Sequence, residues 1–216
     1  MNAKPLIYLA GCLLVVACKK KEFPEIPTGP VIDSLGTSDA YCPTKEGTYW
    51  IYQQQLLDTN NVVLDSRIDS DYVMNDTIVI RGLIFHHVKT NSPFGSAFEL
   101  FRDSAGYMVN SDGKILLAQQ NWGDVAEADT VPGSWVITTR IRNDLGPVAV
   151  PAGSYPDVVS AEYEVEYLNP ANPLYGPSRY AYRHHVKDVG VVEEVAFYMG
   201  NSNTIVRKLL RYRIGK

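Results

Sequence analysis

The chain has 216 residues and a formal net charge of −4, from 20 lysines and arginines against 24 aspartates and glutamates. That balance supplies no basic field to hold a phosphate backbone, which argues against nucleic acid as a partner. Fourteen tyrosines, thirteen prolines and sixteen glycines, beside many Val, Ile and Thr, favour short strands and frequent turns over helices.

At the N-terminus Lys4 precedes an apolar run from Pro5 to Val16, which is followed by Ala17 and Cys18. The run is too short to cross a bilayer, which takes roughly 20 apolar residues. A basic start, a short apolar segment and a small residue ahead of the cleavage point have the order of a secretory signal. The ending Val15-Val16-Ala17-Cys18 resembles the bacterial lipobox, with Val15 where leucine is commonest. The resemblance implies cleavage before Cys18 and a diacylglyceryl group on its thiol, hence a membrane partner through a lipid anchor. An ordinary signal peptide, or a buried apolar helix with a chance cysteine, are the plainer alternatives.

Residues 1–17 are therefore expected to be a lipoprotein signal peptide, 18–40 a lipidated cysteine and flexible tether, and 41–216 one antiparallel β domain. Residues 19–39 hold three lysines, three prolines and two glycines with no amphipathic period, the composition of a linker. Cys12 leaves with the signal and Cys18 takes the lipid. Cys42 remains, and it reads as a small buried hydrophobe at a strand entrance rather than a nucleophile.

Residues 48–57 begin as an aromatic-rich strand, Asp58 to Asn61 supply a turn, and 62–70 continue in alternation, which predicts a hairpin. Residues 77–81, 83–89, 97–102 and 114–118 follow at strand length between Gly, Ser and Asp turns. Residues 119–130 show no period of two and are expected to be a loop or short helix. Another strand covers 134–142. Ala161, Tyr163, Val165 and Tyr167 then alternate with Glu162, Glu164 and Glu166, the mark of an antiparallel strand with one wet face. In 179–186, Tyr180, Tyr182, His184 and Val186 alternate with Arg179 and Arg183. If these two strands pair, the glutamates are expected to share a face with the two arginines. A closing hairpin spans 191–214, with Val206, Leu210 and Tyr212 on one side and Arg207, Arg211 and Arg213 on the other. The fold class is mainly β: a single curved antiparallel sheet, half-barrel or open barrel, of up-and-down hairpins with little helix beyond the signal.

The histidines come as His86-His87 and His184-His185. Neighbours on a strand point to opposite faces, so neither pair chelates one ion by itself. One histidine from each pair meeting across the sheet would need Asp103 or Glu194 as a third ligand, which no spacing supports. No metal and no cofactor are expected. Glycoside hydrolysis needs two carboxyls roughly 5 to 10 Å apart across a cleft, and a row of glutamates on one strand face provides none. Turns at Pro132-Gly133-Ser134 and Ala152-Gly153-Ser154 lack the second glycine of a nucleophile elbow. No catalytic residue is assigned.

Three pieces look familiar together. Tyr41-Cys42-Pro43-Thr44-Lys45-Glu46-Gly47-Thr48-Tyr49-Trp50-Ile51-Tyr52 resembles the aromatic-x-Pro-x-x-x-Gly-x-x-Trp-x-Tyr opening of uncharacterised secreted lipoproteins of Gram-negative bacteria. Val150-Pro151-Ala152-Gly153 is similar to their mid-chain turn, and Val189-Gly190-Val191-Val192 to their late Val-Gly-x-Val element. Thr44 replaces the usual leucine and Cys42 an aromatic. The resemblance implies a curved sheet related to the half-barrel of outer-membrane lipoprotein carriers, and it carries no catalytic residues.

The expectation is a lipid-anchored, non-enzymatic binding or scaffolding domain of the cell envelope, at the periplasmic face of the outer membrane. Tyr163, Tyr167, Tyr180 and Tyr182 are the candidate ligand-facing or core aromatics, since tyrosine offers an apolar body and a polar tip to an amphipathic ligand. An envelope glycan or lipid hydrolase and a protein-interaction subunit of an envelope complex are the alternatives. An apolar cavity, a cleft with facing carboxylates and a flat aromatic patch are the respective discriminating shapes.

Overall fold

Period-two alternation becomes hydrogen-bonded ladders over most of the chain. The computed structural model describes residues 40–92, 95–104, 106–118 and 123–215. The expected signal segment, Cys18 and the expected tether up to residue 39 lie outside the described residues. The strands are β1 (Tyr49–Leu57), β2 (Val63–Ile80), β3 (Leu83–Ser92), β4 (Gly95–Ser104), β5 (Tyr107–Asn110), β6 (Ile115–Ala118) and β7 (Val125–Val131) in the first part of the chain. They continue as β8 (Trp135–Arg142), β9 (Val148–Val150), β10 (Gly153–Tyr155), β11 (Val158–Tyr167), β12 (Arg179–Val186), β13 (Gly190–Phe197) and β14 (Thr204–Arg213). Twelve strands form one antiparallel sheet in the order β6-β5-β4-β3-β2-β1-β14-β13-β12-β11-β8-β7, and β9 pairs with β10 as a separate hairpin.

The expected curved antiparallel sheet is thus the fold. Chain neighbours pair except where β1 meets β14 and where β8 meets β11. The sheet curls until its edges approach: Lys114 Nζ, just before β6, lies 3.0 Å from Asp129 and 3.5 Å from Glu127 on β7. The barrel is nearly closed, with side chains rather than backbone bonds across the seam.

Three expectations change. The separate strands expected at 62–70 and 77–81 fall into a single strand, β2 (Val63–Ile80), whose pairing with β3 shifts between Val73 and Thr77. A bulge bends a strand without ending it. Residues 107–110 also form a strand, β5, too short to show a period. And Val125–Val131, expected as loop or short helix, is strand β7 on β8. Its alternation is there, but in alanines and carboxylates at an exposed edge, where no apolar face reveals it.

Inside, Trp50, Tyr52, Phe101, Met108, Leu117, Ile141, Ala161, Val192 and Leu209 form one buried cluster. The three familiar motifs meet at one end of it. Trp50 Nε1 donates to the Val189 carbonyl at 2.6 Å and the Tyr52 hydroxyl to the Val191 carbonyl at 3.0 Å. Gly190 sits at φ +100°, and a Cβ there would lie 2.9 Å from the Trp50 indole, so both backbone and space demand glycine. The turn before β10 docks through Ala152 N to the Leu209 carbonyl at 2.9 Å.

Candidate functional site

Register decides which side chains point inward. Ala161 lies opposite Arg183, Tyr163 opposite Ala181 and Val165 opposite Arg179, whereas Glu162 faces Tyr182 and Glu164 faces Tyr180. The expected sharing of a face by the glutamates with Arg179 and Arg183 therefore does not occur; pairing is one residue away from it, which swaps every partner. The glutamates find arginines on the other flank instead, at 2.8 Å for Arg140–Glu164 and 3.5 Å for Arg142–Glu162. On β14 the buried side is Ile205, Arg207 and Leu209, so the arginine face near the strand's middle is the inner one.

This register builds a chain of charges across the barrel interior. Arg207, its side chain 6% exposed, grips Asp69 with two bonds of 3.0 and 3.2 Å, Asp71 at 2.9 Å and Glu194 at 2.9 Å. Its guanidinium lies 4.3 Å from the centre of the Tyr52 ring. Glu194 also takes bonds of 2.9 and 3.2 Å from Arg183, which holds Glu99 with two more at 3.1 and 3.2 Å. Paired, multiply bonded ions are the form in which buried charge is tolerated.

Electrostatics separate the carboxylates. Burial pushes the Glu194 carboxyl up, but Arg183 and Arg207 together outweigh it and hold it at about 2. At Asp71 and Asp69 burial wins: both are raised despite Arg207. The neighbouring inward histidine, His185, is lowered to about 3, by burial first and then by Arg183.

A cavity of about 280 Å³ opens against this network. Apolar Trp50, Val88, Phe101 and Ile205 line it together with charged Asp71, Glu99, Glu194, Arg183 and Arg207, and Cys42 is also among its lining residues. A second recess of about 450 Å³ lies by the seam, between Phe85, Arg102 and Val109 and the β7 residues Ala126 to Asp129.

Of the four tyrosines singled out from the sequence, Tyr163 packs against the core cluster and Tyr167 is buried, its hydroxyl 3.4 Å from the Met199 carbonyl. Tyr180 and Tyr182 are on the outer face, a consequence of the register. Tyr180 is 51% exposed and donates to Glu164 at 3.0 Å. Tyr182 stacks on His184 at 4.3 Å, its hydroxyl pushed up to about 12 by burial and by Glu193. None of the four is among the walls of the 280 Å³ cavity. Sequence reasoning missed the residues that are, because a charge at every second strand position reads as a wet face; Arg67, Asp69 and Asp71 in alternation were the available signal.

One further arrangement has the outline of a relay. Ser160 Oγ lies 3.0 Å from His184 Nδ1, and His184 Nε2 lies 3.8 Å from Glu193. Ser160 has 0% exposure, so no substrate carbonyl can reach its oxygen, and the row is a satisfied polar ladder across β11, β12 and β13. Among the described residues no three of His, Cys, Asp and Glu come together as a metal site.

No known protein family and no curated protein matches the chain. Solved structures similar to it include the following two. A candidate exported protein with a YmcC-like fold from Bacteroides fragilis aligns over 79% of this chain and 97% of its own, at TM-score 0.47 and 14% identity. A candidate lipoprotein from Parabacteroides distasonis aligns over 79% and 96%, at TM-score 0.39 and 12% identity.

Proposed function

We propose that the chain is a lipid-anchored protein of the cell envelope, held by Cys18 at the periplasmic face of the outer membrane, whose β domain binds a small amphipathic ligand. The observation that carries the binding reading is the cavity, mostly apolar in its lining but holding five charged side chains. A domain that needed only stability gains little from buried ion pairs, since a well-packed apolar replacement is often as stable. A binding site, in contrast, combines an apolar wall with a few fixed polar groups. The anchor rests on the order of residues from Lys4 to Cys18.

The size of the cavity limits the guest. At about 30 Å³ per water in the liquid, 280 Å³ holds roughly nine waters, enough for one short chain or one ring and too little for a diacyl lipid. Two measurements test the proposal. Fractionation of cells producing Cys18→Ser should move the protein out of the membrane pellet; retention there sinks the anchor. Titration of 1-hexanol into the mature chain, residues 18–216 made without its lipid, should saturate with a change in tryptophan emission, because Trp50 forms part of the wall. A linear, non-saturating response sinks the binding site.

A further inference from the structure

The charges around the cavity do not cancel. Asp71, Glu99 and Glu194 face it against Arg183 and Arg207. Asp69 stands behind Arg207, and Arg67 lies close enough to act on Asp69, so the outer pair adds one charge of each sign. One negative charge is left over in a space with an apolar wall, where an uncompensated ion is costly.

The surplus can be assigned. Glu194 receives bonds from both arginines, and Asp69 takes a two-pronged grip from Arg207. Glu99 accepts two bonds from Arg183 and is partly open to solvent. Asp71 accepts a single side-chain bond, 2.9 Å from Arg207, among the described residues, and it is a wall residue. Trp50 and Phe101 line the same cavity, while the Tyr52 ring is already covered by Arg207.

Resting on the ligand-binding reading above, we infer that the cavity selects a monocation, an ammonium group on a short apolar body, with the charge placed at Asp71 and the body against Trp50, Phe101 and Ile205. One cation matches the one surplus charge and supplies a further hydrogen-bond donor to Asp71. An anionic guest would double the imbalance. The raised proton affinity of Asp71, set by burial against the pull of Arg207, is the response of the same site to the smallest cation.

The test is calorimetric titration of the mature chain, residues 18–216, with three probes of nearly equal shape: 2-phenylethylammonium, neutral 2-phenylethanol and anionic phenylacetate. The expected order is ammonium at least tenfold tighter than alcohol, with phenylacetate weakest. Asp71→Asn should bring ammonium and alcohol to parity. If that variant does not fold, Glu99→Gln, at the more open side of the cavity, removes the same surplus and should weaken only the ammonium. Equal affinity for ammonium and alcohol overturns the inference and leaves the binding reading standing. Tightest binding of phenylacetate overturns it as well. Failure of all three probes to bind overturns both.

Discussion

Two rows of residues cross the same four strands, one residue apart, on opposite faces of the sheet. The inner row runs Ala161, Arg183, Glu194, Arg207 and the outer row Ser160, His184, Glu193, Lys208. Their compositions are nearly interchangeable, since each carries a base next to an acid next to a base. Inside, every ion of the row is bonded at least twice and the Arg207 side chain is 6% exposed; outside, Lys208 is 41% exposed and meets Glu193 at 3.4 Å. What a charged residue does here depends on which side of one pleat it occupies and hardly on what it is.

Arg207→Leu strikes hardest at that contrast. It leaves Asp69, Asp71 and Glu194 without their shared partner, and removing one member of a buried ionic group costs about 3 to 5 kcal/mol. The urea midpoint should fall at constant slope, and 1 M salt should not restore it. A loss below about 1 kcal/mol would mean that the Arg207 network contributes no more than a surface ion pair.

Acid titration separates the rows by pH. His185, on the inner face, is held at about 3 and His184, on the outer face, at about 4, both by burial, against an ordinary 6.5. The unfolded chain therefore binds these protons first, and stability falls as pH drops from 6.5 toward 3 to 4. Glu194, at about 2 against an ordinary 4.5, adds stability above 4.5 that is lost as pH falls through 2. Asp69 and Asp71, raised by burial, oppose the trend as pH approaches 3.8. Each tenfold difference in proton affinity between the folded and unfolded chain is worth about 1.4 kcal/mol, so His185 accounts for a loss on the order of 3 kcal/mol between about pH 6.5 and 4. His185→Gln should flatten the slope across that range; an unchanged slope places the proton uptake elsewhere.

A smaller effect comes from neighbours on β11. Tyr163 packs inward against the core cluster while Glu164 pairs outward with Arg140. Truncating a buried aromatic costs about 3 kcal/mol or more, and a partly open site such as this one should fall at or below that figure. Tyr163→Ala should lower the urea midpoint well beyond Glu164→Ala. Comparable losses would show that β11 is not a one-sided strand.

Much of the fold was legible because alternation is local. Glu162 to Tyr167 and Tyr180 to Val186 announce strands by themselves, and β12 runs over Arg179–Val186 as expected. The interior charge was not legible, for two physical reasons. Register between β11 and β12 is set by the loop at 168–178 and by neighbouring ladders, so a one-residue difference leaves no trace in either strand. And Arg183-His184, Glu193-Glu194 and Arg207-Lys208 place charge on both faces at once, so polarity cannot reveal the inward side. β7 was hidden for a related reason: its hydrogen bonds come from β8, and its own residues bury little.

The smallest expected effect discriminates best between the two rows. Lys208→Ala removes the outer-row base next in sequence to Arg207, in the same strand and opposite the acid that precedes Glu194. Glu193 keeps His184 at 3.8 Å, and its lost partner was a long side chain, 41% exposed. Only the lysine end of the pair is open to solvent, and a pair screened from one side in this way is expected to contribute close to the surface range of about 0 to 1 kcal/mol. The shift in urea midpoint should therefore be within that range, and it should disappear in 1 M salt, where the screening length shrinks to about 3 Å. Salt response is the more telling half of the measurement, because a residue that stabilised by packing its methylenes would lose the same amount with or without salt. A loss from Lys208→Ala that matched Arg207→Leu and ignored salt would extend to Lys208 the cover that Ser160 and His184 already have on the outer face.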